Sequence, residues 1–128
     1  MKVSYELAHP KICNLCGGRV SYLKSSKYPS GYMYSCDNCH AQVGTSVKEV
    51  DKALGTLADS RTRQKRIEVH KLLDRFWRSQ KGRSKRYEKL AAELGIEVEN
   101  CHLAYMDYDT LCRAEQIILK WWRDKYDK

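Results

Sequence analysis

The sequence predicts an α+β protein, with a small module of short β-hairpins in the first third and three helices after it. Three observations carry that reading. Two Cys-x2-Cys pairs, Cys13/Cys16 and Cys36/Cys39, stand 19 residues apart. The stretch around them is rich in Gly, Tyr and Ser and lacks helical periodicity. From residue 60 onward, apolar residues recur in steps of three and four, as one face of a helix requires.

The elements follow in order. Residues 8–46 form the hairpin module, with "RVSYLK" and "YMYSC" as arms and "YPSGY" as the turn between them, broken by Pro29 and Gly31. Residues 47–59 read as a connection, with Thr56 or Asp59 placed to cap the next helix. Residues 60–128 form the helical region. Its first helix is predicted over 60–80, with Ile67, Val69, Leu72, Leu73, Phe76 and Trp77 on one side and a basic remainder that includes Arg78. Gly82 breaks it. Ser84 caps a second helix over 85–94, whose buried stripe is Tyr87, Leu90, Ala91 and Leu94, and Gly95 stops that helix. A third helix starts at Asp107 or Asp109, runs to about Tyr126, and buries Leu111, Ile117, Ile118, Trp121 and Trp122. The hairpin module is expected to pack on this three-helix region.

Composition narrows the setting. The chain has 128 residues, 42% hydrophobic and 31% charged. No apolar run approaches the roughly 20 residues of a membrane helix, so no membrane partner is expected. The start, "MKVSYELAHP", lacks the apolar block of a secretory signal. A cytoplasmic location is therefore expected. Thiols stay reduced there, so six cysteines suggest metal before disulfide.

The cysteine spacing matches a structural zinc site. Each Cys-x2-Cys turn is tight enough to present two thiolates to one ion, and the intervening hairpin brings the second pair opposite the first. Four sulfurs at about 2.3 Å complete a tetrahedron. Cys13, Cys16, Cys36 and Cys39 are thus the predicted ligands of one structural Zn2+, and Gly17 and Gly18 give the first turn its backbone freedom. A thioredoxin-like pair would occur once, in a βαβ context that is missing here. His40 beside Cys39 reads as a surface or supporting group. A four-thiolate site has no open coordination position, so it stabilises a fold and activates no water. No enzyme activity is expected of it.

Charge points to a partner. Residues 60–90 hold twelve Lys and Arg against three Asp and Glu, a net of +9, while the whole chain carries +8. All the excess positive charge therefore lies in one quarter of the sequence. Concentrated positive charge suits phosphate. Nucleic acid, DNA first, is the expected partner. The candidate contacts are Lys24, Lys27 and Tyr28 at the hairpin tip, and Arg61, Arg63, Lys65, Arg66, Lys81, Arg83, Lys85 and Arg86 in the helical region. Contacts of this kind position a nucleic acid without reading its sequence. A helix-turn-helix is not expected, because about 12 residues separate Gly95 from the third helix, where that motif allows 3–4.

Two further clusters have weaker claims. His70 and Asp74 lie one turn apart and can pair, as an acid–base couple, half of a metal site, or a structural contact. Cys101, His102 and Cys112 are soft ligands at a spacing that matches no familiar zinc pattern, and a buried thiol is the simpler reading.

The stretches "CNLCGGRV", "YSCDNCHAQVGT", "LGTLAD", "RIEVHKLLDRFW", "LAAELGI" and "CHLAYMDYDTLCRAEQIIL" occur in an order that resembles a phage and prophage family. That family is described as zinc-finger-containing proteins of unknown function. The resemblance runs from Ile12 to Ile118. It implies a zinc ribbon joined to helices, a phage or prophage origin and a bacterial cytoplasm, with no assigned activity. It also admits an alternative partner, a host protein that the chain binds and inhibits or recruits, with Trp121 and Trp122 as interface anchors.

Overall fold

The computed structural model of the chain describes residues 4–76 and 80–126, with the side chains of residues 80, 81 and 126 outside that description. Trp77, Arg78 and the Lys81 side chain, all singled out from sequence, therefore lie outside the described residues. The fold is α+β. It divides between Arg61 and Thr62 into two compact units, each with its own core.

The first unit is built on three antiparallel strands in chain order: β1 (Val20–Lys24), β2 (Tyr32–Cys36) and β3 (Gln42–Gly44). Tyr22 pairs with Tyr34, and Tyr34 with Val43, so all three project on one face. At the β1–β2 turn Gly31 takes φ +83°, a value that favours glycine, and donates to the Tyr28 carbonyl at 2.9 Å. Before the sheet, one helical turn, α1 (Tyr5–Ala8), is capped by Ser4, whose hydroxyl accepts from the Leu7 amide at 3.2 Å.

Residues 47–59 are more than a connection. Thr45 bridges to Ala53, and Gln42 to Ala58, so the segment runs back along β3 as a strap. Tyr22 donates its phenol to the Val50 carbonyl at 2.7 Å, and Tyr34 donates to that of Asp51. Leu57, 1% exposed, fills the core between Cys13, Tyr34, Cys36 and Val43. Burying one leucine contributes about 1.5–3 kcal/mol, a large share for a core this small.

The second unit holds most of α2 (Ser60–Asp74), all of α3 (Gln80–Leu94) and α4 (Tyr108–Tyr126), with short 3-10 turns at Val98–Asn100 and Leu103–Tyr105. Val69 and Leu73 meet Leu90, Ala91 and Leu94, and both sets meet Leu111, Ala114, Ile118 and Trp121. Cys101, Leu103 and Met106 from the α3–α4 connection complete this core. Ile67, expected inside, is 50% exposed, because it lies off the Val69–Leu73 stripe. The first two helix boundaries also differ from expectation. The first helix ends at Asp74 instead of 80, and the second begins at Gln80, with Gly82 and Ser84 inside it. Glycine costs a helix about 1 kcal/mol, and the buried stripe from Tyr87 to Leu94 outweighs that in the first turn. Gly95 ends α3 with φ +75°, and Ile96 donates back to Ala91 at 3.0 Å, the paired closure of a glycine-terminated helix. Asp107 caps α4 by accepting from the Thr110 amide at 2.8 Å, and hydrogen bonding from the Thr110 side chain first, then from this amide, holds its carboxyl below the ordinary value. Among the described residues, no helix is long and apolar enough to cross a membrane.

Candidate metal centre and nucleic-acid contacts

The two cysteine turns are built alike. Gly17 donates to the Cys13 carbonyl at 2.9 Å, and His40 donates to that of Cys36 at 3.1 Å. Cys13 donates to the Gly18 carbonyl at 2.8 Å, and Cys36 to that of Ala41 at 2.9 Å. The residue after each second cysteine is left-handed, with φ +76° at Gly17 and +64° at His40. Each turn thus folds its pair of sulfurs to one side. The amides of Leu15 and Asn38 point at the Cys13 and Cys36 sulfurs, both at 3.4 Å. The Gly18 amide does the same for Cys16 at 3.4 Å.

The sheet then sets the two turns face to face. Cys13 and Cys39 sulfurs are 3.7 Å apart, Cys16 and Cys36 sulfurs 3.4 Å, and all four lie within 4.8 Å of one another. Four sulfurs at about 2.3 Å from one ion stand about 3.8 Å apart. The cage therefore has the size of a zinc tetrahedron. A Cβ at Gly18 would come within 3.0 Å of the Cys36 sulfur and 3.2 Å of the Cys16 sulfur, so the backbone closes on the cluster with no room for a side chain.

The electrostatics fit a cation. The Asn38 side chain and the Gly18 amide bring the Cys16 thiol down to about 6. At Cys39 the Ala41 amide pulls the other way but loses to burial and the three neighbouring sulfurs, and the thiol is pushed up to about 12. Four adjacent sulfurs do not all ionise without a compensating charge, and a divalent cation supplies one. Cys13, Cys16, Cys36 and Cys39 would hold one zinc ion, closed to water and structural in role.

The fold and this centre define a four-cysteine zinc ribbon carried on the same chain as a three-helix unit. The chain belongs to the family of zinc-finger-containing domains, whose model matches residues 9–121. No curated protein and no solved structure matches it.

The structure places the other predicted residues unevenly. Lys24 and Lys27 are exposed at the β1–β2 turn. Tyr28 is folded down. Its ring covers Gly44, where a Cβ would meet it at 2.4 Å, and its phenol donates to Gln42 Oε1 at 3.2 Å. Arg61, Arg83 and Lys85 are exposed, and Arg63 is half-buried. Lys65 donates to both carboxylate oxygens of Glu115, at 3.1 and 3.3 Å, and that carboxylate raises its ammonium above the ordinary value. Arg66 donates to the Met106 carbonyl at 2.9 Å. Arg86 lies 4.6 Å above the Phe76 ring. Lys65, Arg66 and Arg86 therefore brace the helical unit as well as charging it.

His70 Nδ1 and Asp74 Oδ2 pair at 2.7 Å on the exposed side of α2. Among the described residues, no metal-ligand cluster other than the four cysteines forms. Cys101 is 1% exposed, and burial raises its thiol to about 11, which keeps it an inert core group. Trp121 is buried and donates to Glu93 at 2.6 Å, while Trp122 is half-buried and donates to the Leu72 carbonyl at 3.4 Å. Both serve the core. Sequence reasoning missed the strap, the backbone role of His40, and the placement of Lys89 and Lys125 over tryptophan rings. The first two had no signal in residue type. Lys89 and Lys125 were visible only as two charges among many.

Proposed function

We propose that this zinc ribbon protein binds nucleic acid, DNA first, through phosphate contacts made by its helical unit. The observation that carries the reading is the segregation of charge, with the net +9 of residues 60–90 falling on α2, α3 and their connection. Exposed side chains at Lys71, Arg75, Arg83, Lys85 and Lys89 present much of it. Phosphate neutralisation gives affinity without sequence preference. Zinc acts only by holding the ribbon together, so metal chemistry plays no part in binding. A bacterial cytoplasm during phage growth, where thiols remain reduced, suits such a protein.

The test is binding of the zinc-loaded chain to labelled single- and double-stranded DNA over a salt series. Affinity should fall steeply with salt. Arg83→Glu with Lys85→Glu should lower the log–log slope by about 0.7–0.9 for each phosphate no longer neutralised. Arg66 is unsuitable for this test, since its bond to Met106 ties it to folding. No binding at about 50 mM salt by folded, zinc-loaded protein would sink the reading, because electrostatic binding is strongest at low salt.

A further inference from the structure

Three elements of the helical unit converge on one aromatic patch. Phe76, just past α2, packs against Trp122 at 4.2 Å between ring centroids and edge-on against Trp121 at 5.7 Å. Cations from two helices cover these rings. Arg86 of α3 stands 4.6 Å from the Phe76 centroid and 5.7 Å from that of Trp121. Lys89, one turn on, is 4.9 Å from Trp121. Lys125 of α4 is 5.2 Å from Trp122 and 5.9 Å from Phe76.

One cation over a ring is an ordinary stabilising interaction, worth about 0.5–1 kcal/mol at an exposed site. Three on one patch repel one another. Glu93 accepts the Trp121 indole N–H at 2.6 Å and so brings one negative charge to the patch, against three positive ones. Among the described residues, Arg86 and Lys89 make no ion pair. Lys89 and Lys125 are exposed, so their ammonium groups reach water while their stems cover the rings. The rings gather the three charges around a small area. A group with several negative oxygens lowers that repulsion.

We infer that Arg86, Lys89 and Lys125, set over Phe76, Trp121 and Trp122, form a phosphate-binding site that takes the backbone of a nucleic acid. This rests on the nucleic-acid reading above and locates it at residues of which only Arg86 was expected from sequence.

The experiment uses the zinc-loaded full chain, a single-stranded oligothymidylate of about 12 nucleotides, a length within the site sizes such binders use, and inorganic tripolyphosphate. Two readouts are followed: affinity, and the indole N–H resonances of Trp121 and Trp122. The oligonucleotide should shift both resonances. Lys89→Glu with Lys125→Glu should weaken binding by about tenfold or more at low salt. Both lysines are exposed, and an unchanged thermal melt shows that the variant folds. If it does not, Lys89→Gln and Lys125→Gln are measured singly, and each should weaken binding by a smaller factor. Oligonucleotide binding with unmoved indoles and undiminished affinity in the variants would overturn this site and leave the nucleic-acid reading standing. Tripolyphosphate shifting the indoles while no nucleic acid binds would keep the phosphate site and remove the nucleic-acid reading. Neither probe moving the indoles would remove the site.

Discussion

Gly17 and His40 occupy equivalent places in two turns of equivalent build, yet only one is glycine. A side chain in the left-handed region costs about 1–2 kcal/mol, and His40 bears that strain. His40→Gly should therefore keep zinc and hold or raise stability, with the relief partly offset by a freer unfolded chain. Gly17→Val should cost about 1–3 kcal/mol, since a branched side chain tolerates this backbone worst. Zinc titration and chemical denaturation of both variants check this. Loss of zinc in His40→Gly would show instead that the imidazole serves the metal. The four ligands were legible at this scale, because spacing alone specifies a tetrahedral thiolate set. The strain at His40 was not, because a backbone angle is a property of the folded turn. Tyr28 shows the same limit. Its place beside Lys27 made it a candidate contact at the hairpin tip, and only the missing Cβ at Gly44 reveals where the ring goes.

At the level of the element, the strap over residues 47–59 stabilises the ribbon most unexpectedly. It has no alternating pattern and no long apolar run, so it read as a connection. Its order comes from partners distant in sequence, the phenols of Tyr22 and Tyr34 and the bridges to Gln42 and Thr45. Leu57→Ala removes its one fully buried large side chain. A cost of about 2–5 kcal/mol is expected, together with weaker zinc retention in a competition assay against a chromophoric chelator. Unchanged stability would mean that the strap is dispensable. The helices were more legible, since their stripes follow a fixed period, and Tyr87, Leu90, Ala91 and Leu94 all join the core. Their ends were not, because Gly82 signals a break that packing overrides.

For the whole molecule, the two cores are stabilised differently. The ribbon core is small and leans on the metal. The helical core includes the fully buried Val69, Leu73, Leu90, Leu111 and Ile118, and among the described residues it forms no metal-ligand cluster. Stripping zinc with a strong chelator should therefore unfold residues up to about 61 and leave most of the helical circular dichroism intact. Hydrogen exchange would show protection lost at Tyr34 and Cys36 and retained at Val69 and Ile118. A single cooperative loss of all structure would show that the units are not independent. The α+β class was legible at this scale, as the cysteine spacing and the helical period fall in separate stretches.

The boundary between Arg61 and Thr62 also sets an order of assembly during synthesis. The ribbon unit has all of its own residues once its strap has left the ribosome. The helical unit must wait, because its core needs Ile118 and Trp121, and the Lys65 ion pair needs Glu115. At about 5–20 residues per second, the gap is several seconds. A nascent chain can take up its metal in that interval, before the basic helices are able to fold against α4.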